Sequence, residues 1–298
     1  MHMWVIILSA LAIGGLWGVL WYRHIQKRNT CFHAPFPEGR LTTLQTNIAL
    51  YQRLPNPLQR ELQGLIQVFV HEKQFVGCGG LEVDDEMRVT IAAFACVLLL
   101  NRPHQSYPHF SAIYVYPDAY IVKLNSWDGV VESENSDVLL GESWQRGLVV
   151  LSWQAVLHGV SDTLDGHNVV YHEFAHKLDE EGGAVDGVPL LANASHHQSW
   201  ARTMSNAFEA LREKSNKGEA TVLDDYGASE PEEFFAVLTE TFFEKPHQLK
   251  ASHPALYDEV RAYYRLDPAA WVKSVKLSKI KLPFRVTFSC FILLDILF

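Results

Sequence analysis

This sequence is poor in cysteine, and its positive charges are outnumbered by its negative ones. Its four cysteines, Cys31, Cys78, Cys96 and Cys290, lie far apart and form no C-x-x-C pair. That excludes a disulfide framework and a sulfur-ligated metal centre, and leaves them as reduced or buried thiols. Lysine and arginine number 25 against 34 aspartates and glutamates, for a net charge of −9. Such a chain has no electrostatic reason to bind a polyanion, so direct nucleic-acid contact is not expected. Internal repeats and low-complexity tracts are missing as well.

What is present is enough apolar material for one sizeable domain: 298 residues, 48% hydrophobic and 12% aromatic. The segment from Trp4 to Tyr22 carries no charge and is as long as a helix that spans hydrocarbon, which predicts a transmembrane helix over residues 1–22. It lacks the basic start and the small-residue cleavage site of a signal peptide. Arg23, Lys27 and Arg28 follow it, so the positive-inside bias places a membrane-anchored chain with its main domain in the cytoplasm. Residues 23–40, with Pro35, Pro37 and Gly39, read as a linker, residues 41–272 as the globular domain, and residues 273–298 as a basic and then apolar tail of no assigned role.

Within the domain, Leu58, Leu62, Leu65, Ile66 and Phe69 repeat at helical spacing across Pro55 to Lys73, and Glu86 to Asn101 reads as a more buried helix. Two strand-like stretches, Ala112 to Tyr116 and Ala119 to Lys123, flank the turn-forming pair Pro117-Asp118, and Gly147 to Trp153 (GLVVLSW) is a third. The expected class is α+β, mainly helical with a small β-sheet.

The chemistry sits in His172-Glu173-Phe174-Ala175-His176. On a helix of 3.6 residues per turn, imidazoles four positions apart leave one face and can grip a single ion, the spacing that zinc needs. Glu173 stands about 100° round the helix, placed to act as general base on a water beside the metal. Asp165-Gly166 marks a helix start and Gly182-Gly183 a stop. Catalytic zinc usually keeps three protein ligands, and the H-x-x-G-x-x-H extension is absent here. A second helix is predicted from Ser229-Glu230-Pro231-Glu232, which has the form of a capping box, to a stop before Pro246. On it Glu233, Ala236, Val237 and Glu240 share a face whose small residues permit close approach, which makes Glu233 the third ligand. Glu232 points elsewhere and fits a capping role, with ligation as its second reading. Glu240 reads equally as support for the metal site or as a solvated side chain. Asp179 could orient a ligand imidazole or close a salt bridge at the helix end. Tyr226 could donate to an oxyanion, or be a surface-loop tyrosine. His167, His196 and His197 read as solvated.

Four blocks in order resemble the Mlc titration factor A family of zinc peptidases: Phe110 to Val122, Gly141 to Trp153, Asn168 to Asp179 (NVVYHEFAHKLD) and Pro231 to Phe243 (PEEFFAVLTETFF). The resemblance implies a zincin-like fold and a gluzincin-like site. The third ligand of its P-x-E-x-F-A-V-L block falls on Glu233 and a functional tyrosine on Tyr226. It also implies aminopeptidase-like hydrolysis of peptides. A namesake member binds and titrates the glucose-regulated repressor Mlc, so the alternative expectation is a regulatory protein that sequesters a transcription repressor, with zinc mainly structural. Well-known members are soluble cytoplasmic proteins, from which the apolar N-terminus here departs.

Overall fold

The computed structural model of the protein describes residues 2–102, 107–108, 110–118 and 148–271, with backbone alone for residues 2–12. Helix α1 runs over His2–His33, α2 over Glu38–Asn47, and α3 over Asn56–Glu72. Strand β1, Gln74–Gly77, leads to α4, Asp85–Val97. Pro57 sits in the first turn of α3, where its missing N–H would have found no partner anyway. From there Leu62, Leu65, Ile66 and Phe69 are buried together with the residues of α4 from Val89 to Val97. Asp84 caps α4 by accepting a hydrogen bond from the Met87 amide at 2.8 Å.

Strands β2, Ala112–Tyr116, and β3, Leu148–Ser152, complete a three-stranded sheet in the order β1-β2-β3. Both pairings are parallel, with Gln74 opposite Ala112 and Ala112 opposite Leu148. Ile113, Val115, Val149 and Leu151 are buried and the residues between them only partly so, the alternation that a pleat imposes. The stretch Ala119 to Lys123 lies outside the described residues. The rest is helical: α5 is Trp153–Ser161, α6 Val169–Asp179, α7 Ala194–Asn216, α8 Pro231–Glu244, α9 Pro246–Ser252, α10 Pro254–Tyr264 and α11 Pro268–Trp271. The architecture is thus mostly helical with a small sheet, the α+β class expected.

Phe174, on α6, is fully buried in the core. Its ring lies 4.9 Å from Tyr107, 5.5 Å from Phe110 and 5.7 Å from Phe69, so the motif-bearing helix is clamped from its inner side.

Two expectations about the N-terminal part need correction. Residues 23–33, read as linker, continue α1 because they have something to pack on. The Cys31 thiol donates to the carbonyl of Gln67 (3.3 Å), and Phe32 lies so close to Gly64 that a Cβ there would approach its ring to 2.8 Å. Among the described residues no helix is long and apolar enough to cross a membrane, so the transmembrane span over residues 1–22 has no support there. Ile13, Leu16, Trp17, Leu20, Trp21 and Tyr22 are exposed on α1. The tail at 273–298 and Cys290 lie outside the described residues; Cys31, Cys78 and Cys96 are free thiols.

Candidate metal centre

Helix α6 begins where Asn168, in extended conformation, turns its side-chain oxygen back to accept from the Tyr171 amide at 3.2 Å. That cap sets the phase of the helix, and His172 and His176 then project from one face. Helix α8 starts at Pro231, and all its residues from Glu233 to Glu244 are buried. It packs along α6, with Tyr171 stacked on Phe243 at 5.0 Å. The approach brings Glu233 onto the two imidazoles.

The resulting triangle is small. His172 Nε2 lies 3.2 Å from His176 Nε2 and 3.0 Å from Glu233 Oε2, and His176 Nε2 lies 3.5 Å from Glu233 Oε1. A tetrahedral ion held at ~2.0–2.1 Å from each ligand would set those edges at ~3.3 Å. His172 Nδ1 is 2.8 Å from Glu240 Oε1, which holds a hydrogen on that nitrogen and makes Nε2 the nitrogen that a metal would take. Glu233 Oε2 is buried and accepts no hydrogen bond of good geometry among the described residues. Two nitrogens and a carboxylate therefore converge within 4.8 Å of one another, an arrangement of acceptors that a cation satisfies.

The electrostatics fit the same reading. Burial alone would lower the His172 pKa, but the Glu233 and Glu240 carboxylates outweigh it and hold the ring well above its ordinary value. Burial works against ionised Glu233, yet His172 and His176 pull it far below the carboxylate range. The pocket favours positive charge at its centre, as imidazolium or as metal.

The other expected residues divide. Glu173 is half-buried on the motif helix and forms no hydrogen bond or ion pair among the described residues, so its carboxylate is unengaged by the fold. Tyr226 lies on the 3₁₀ turn Asp225–Ala228, whose start is capped by Asp224, and its ring is 5.9 Å from that of His172. Glu232 is not in a capping box: Glu230 occupies the N-cap without a side-chain bond, and Ser229 instead donates to the Tyr226 carbonyl. Asp179 is buried and accepts from the Gly187 amide at 2.7 Å, and it forms no salt bridge among the described residues. His167 is exposed 3.6 Å from Asp224, His196 lies 3.5 Å from Glu259, and His197 is exposed.

The sequence leaves Glu240 open between support for the metal site and a solvated side chain, and passes over Glu244. Glu240 is buried, and its Oε2 accepts from the Asn168 amide at 2.5 Å. Glu244 accepts from the Asn168 side chain and the Gly166 amide, both at 3.1 Å, and burial pushes its carboxyl up to about 9. The available signal was spacing: positions 233, 240 and 244 fall on one helical face.

Comparison with known proteins agrees with the geometry. A sequence model of the "Glucose-regulated metallo-peptidase M90" family matches residues 22–265. An uncharacterized protein of Synechocystis sp., slr2042, is 41% identical over 239 residues, covering 80% of this chain and 87% of that one. Proteins named Mlc titration factor A from Yersinia pestis and Yersinia pseudotuberculosis are 33% identical over 232 residues, covering 76% of this chain and 84% of theirs.

Proposed function

This chain belongs to the glucose-regulated metallo-peptidase M90 family, and from that premise we propose that it is a zinc peptidase of gluzincin type with aminopeptidase-like action on peptides. The observation that carries the reading is the convergence of His172 Nε2, His176 Nε2 and Glu233, three acceptors at the edge lengths of a tetrahedral site. When bound, zinc would supply a Lewis acid that eases ionisation of water and polarises the scissile carbonyl.

The chain's own residues do the rest. Glu173, half-buried and unengaged by the fold, takes a proton from the attacking water and passes it to the departing amine. Tyr226, beside His172, donates a hydrogen bond to the oxyanion that forms on the carbonyl oxygen. Glu173→Gln tests the assignment: it should keep stoichiometric zinc and lose hydrolysis of aminoacyl and internally quenched peptides by at least about a hundredfold. Zinc binding without hydrolysis in the wild type would sink the enzymatic reading.

The name carried by the Yersinia relatives supports a second reading, in which the chain sequesters a transcription repressor and zinc is mainly structural. Glu173, next to His172 on the motif helix, argues against that as the sole role, since a purely structural site needs no base. Pull-down of the Mlc repressor by wild type and by Glu233→Ala separates the two; binding that survives loss of the ligand favours docking independent of metal.

Location belongs to the same proposal. The exposed apolar residues of α1, followed by Arg23, Lys27 and Arg28, support a membrane-associated chain with its catalytic domain on the cytoplasmic side. Recovery of the full chain entirely in the soluble fraction would end that part.

A further inference from the structure

Resting on the metal-site reading above, we propose that Glu240 is a positioning residue that selects which nitrogen of His172 faces the metal. The case begins with cost. Glu240 is 5% exposed, and a carboxylate held there is unfavourable unless both oxygens are satisfied. A leucine or methionine would fill the same place between α6 and α8 without that penalty. Both oxygens are in fact used, one at the N-cap of α6 and one on the helix: Oε2 accepts from the Asn168 amide and Oε1 from His172 Nδ1.

The second bond decides the chemistry. His172 Nε2 stands 3.0 Å from Glu233 Oε2, a distance at which an Nε2 hydrogen would be accepted and the pair satisfied with no metal present. Glu240 decides which hydrogen remains when one is displaced from the ring by a metal: the hydrogen it accepts on Nδ1 stays, and Nε2 is released. The lone pair is thereby freed on Nε2, where His176 Nε2 also points. His176 Nδ1 has no hydrogen-bond partner among the described residues, so of the two imidazoles only His172 is oriented by a carboxylate there. Because the same carboxylate holds the Asn168 amide at the N-cap, it also fixes the height of α6 against α8, and with it the position of the ring.

Glu240→Gln makes the test. An amide can accept at one of the two donors but turns an N–H₂ toward the other. Zinc affinity, measured by competition with a chromophoric chelator, should fall by about 10–100-fold. Glu244→Gln is the control: it disturbs the same capped segment through Asn168 and Gly166 but does not touch His172, and it should lower stability while leaving zinc affinity within about threefold. An equal loss of affinity in both variants would mean that Glu240 only holds the fold together, and the proposal would fall.

A measurement on the wild type protects the test against a variant that does not fold. In the zinc-loaded protein the His172 Nδ1 hydrogen should give a downfield, slowly exchanging NMR resonance, with Nε2 as the metallated nitrogen. Metallation through Nδ1 overturns the inference and leaves the peptidase reading intact. Failure of the wild type to bind zinc at all removes the reading on which the inference rests, so the two failures are distinguishable.

Discussion

Glu233 Oε2 faces His172 Nε2 across 3.0 Å, while the other ring nitrogen of His172 is held by Glu240 Oε1 at 2.8 Å. Without a metal a proton on the His172 ring satisfies this contact, the reason the ring's pKa is held well above its ordinary value; a divalent cation in its place also engages His176, so binding should stabilise the fold. Zinc at a hundred times its Kd should raise the unfolding free energy by about 2.7 kcal/mol. In Glu233→Ala the increment should vanish, because two histidines alone hold the ion far less tightly. Thermal unfolding with and without zinc, on both proteins, checks it; an equal shift in both would show that the ion binds elsewhere.

How much of this site is legible in the sequence depends on the kind of information each residue carries. The spacing of His172 and His176 is itself a distance statement, because both lie on one helix and the pitch does the geometry. Glu233 needs one more step, a second helix with a small-residue face, and that too is local. Glu240 is different: a glutamate on a helix looks the same whether it faces water or Asn168, and only the placement of α6 beside α8 decides. The same limit hides β1. Its four residues are too short to show a period, and they become a strand by pairing with β2, more than thirty positions along the chain. The prolines and glycine of residues 23–40 suggest a linker for a local reason, which contact of Cys31 and Phe32 with α3 overrides as far as His33.

Gly187 should be intolerant of a side chain, with effects reaching the metal. Its φ is +76°, and a Cβ there would stand 2.5 Å from the carbonyl oxygen of Pro231. Pro231 opens α8, two residues before Glu233. The Gly187 amide also donates to Asp179, and its carbonyl accepts from the Trp200 indole at 3.1 Å, so the loop cannot easily give way. Gly187→Ala should cost about 2–4 kcal/mol in chemical denaturation and weaken zinc binding at the same time. Loss of stability with unchanged affinity would mean that α8 does not move with its first turn.

A buried ion pair just past the end of the motif helix should show strong dependence on both partners. Arg102 Nη2 lies 3.2 Å from Glu181 Oε2, both side chains under a tenth exposed, and the guanidinium sits 5.1 Å from the Tyr263 ring. Arg102→Met leaves Glu181 buried without its counter-charge and should cost about 3–5 kcal/mol at neutral pH. The double variant Arg102→Met with Glu181→Met should recover most of that loss, since apolar side chains of similar volume need no solvation. If the double variant is as unstable as the single, packing rather than charge is the reason for the pair.

Asp179 sets a pH dependence whose sign can be worked out. Burial raises its pKa from 3.8 to about 6, against the opposing pull of the Gly187 amide. The folded state therefore binds more protons than the unfolded state between about pH 4 and pH 6. Stability contributed by this group falls as pH rises through that window, and the full cost, on the order of 3 kcal/mol, is present above it. Asp179→Asn keeps an acceptor for the Gly187 amide and places an uncharged group where Oδ1 has no hydrogen-bond partner among the described residues. The variant should be more stable than wild type by about 1–3 kcal/mol at pH 8 and indistinguishable from it near pH 4. Urea denaturation of the two metal-free proteins at both pH values measures the difference directly. A gap that is constant with pH would show that Asp179 is held by something other than the cost of burying its charge.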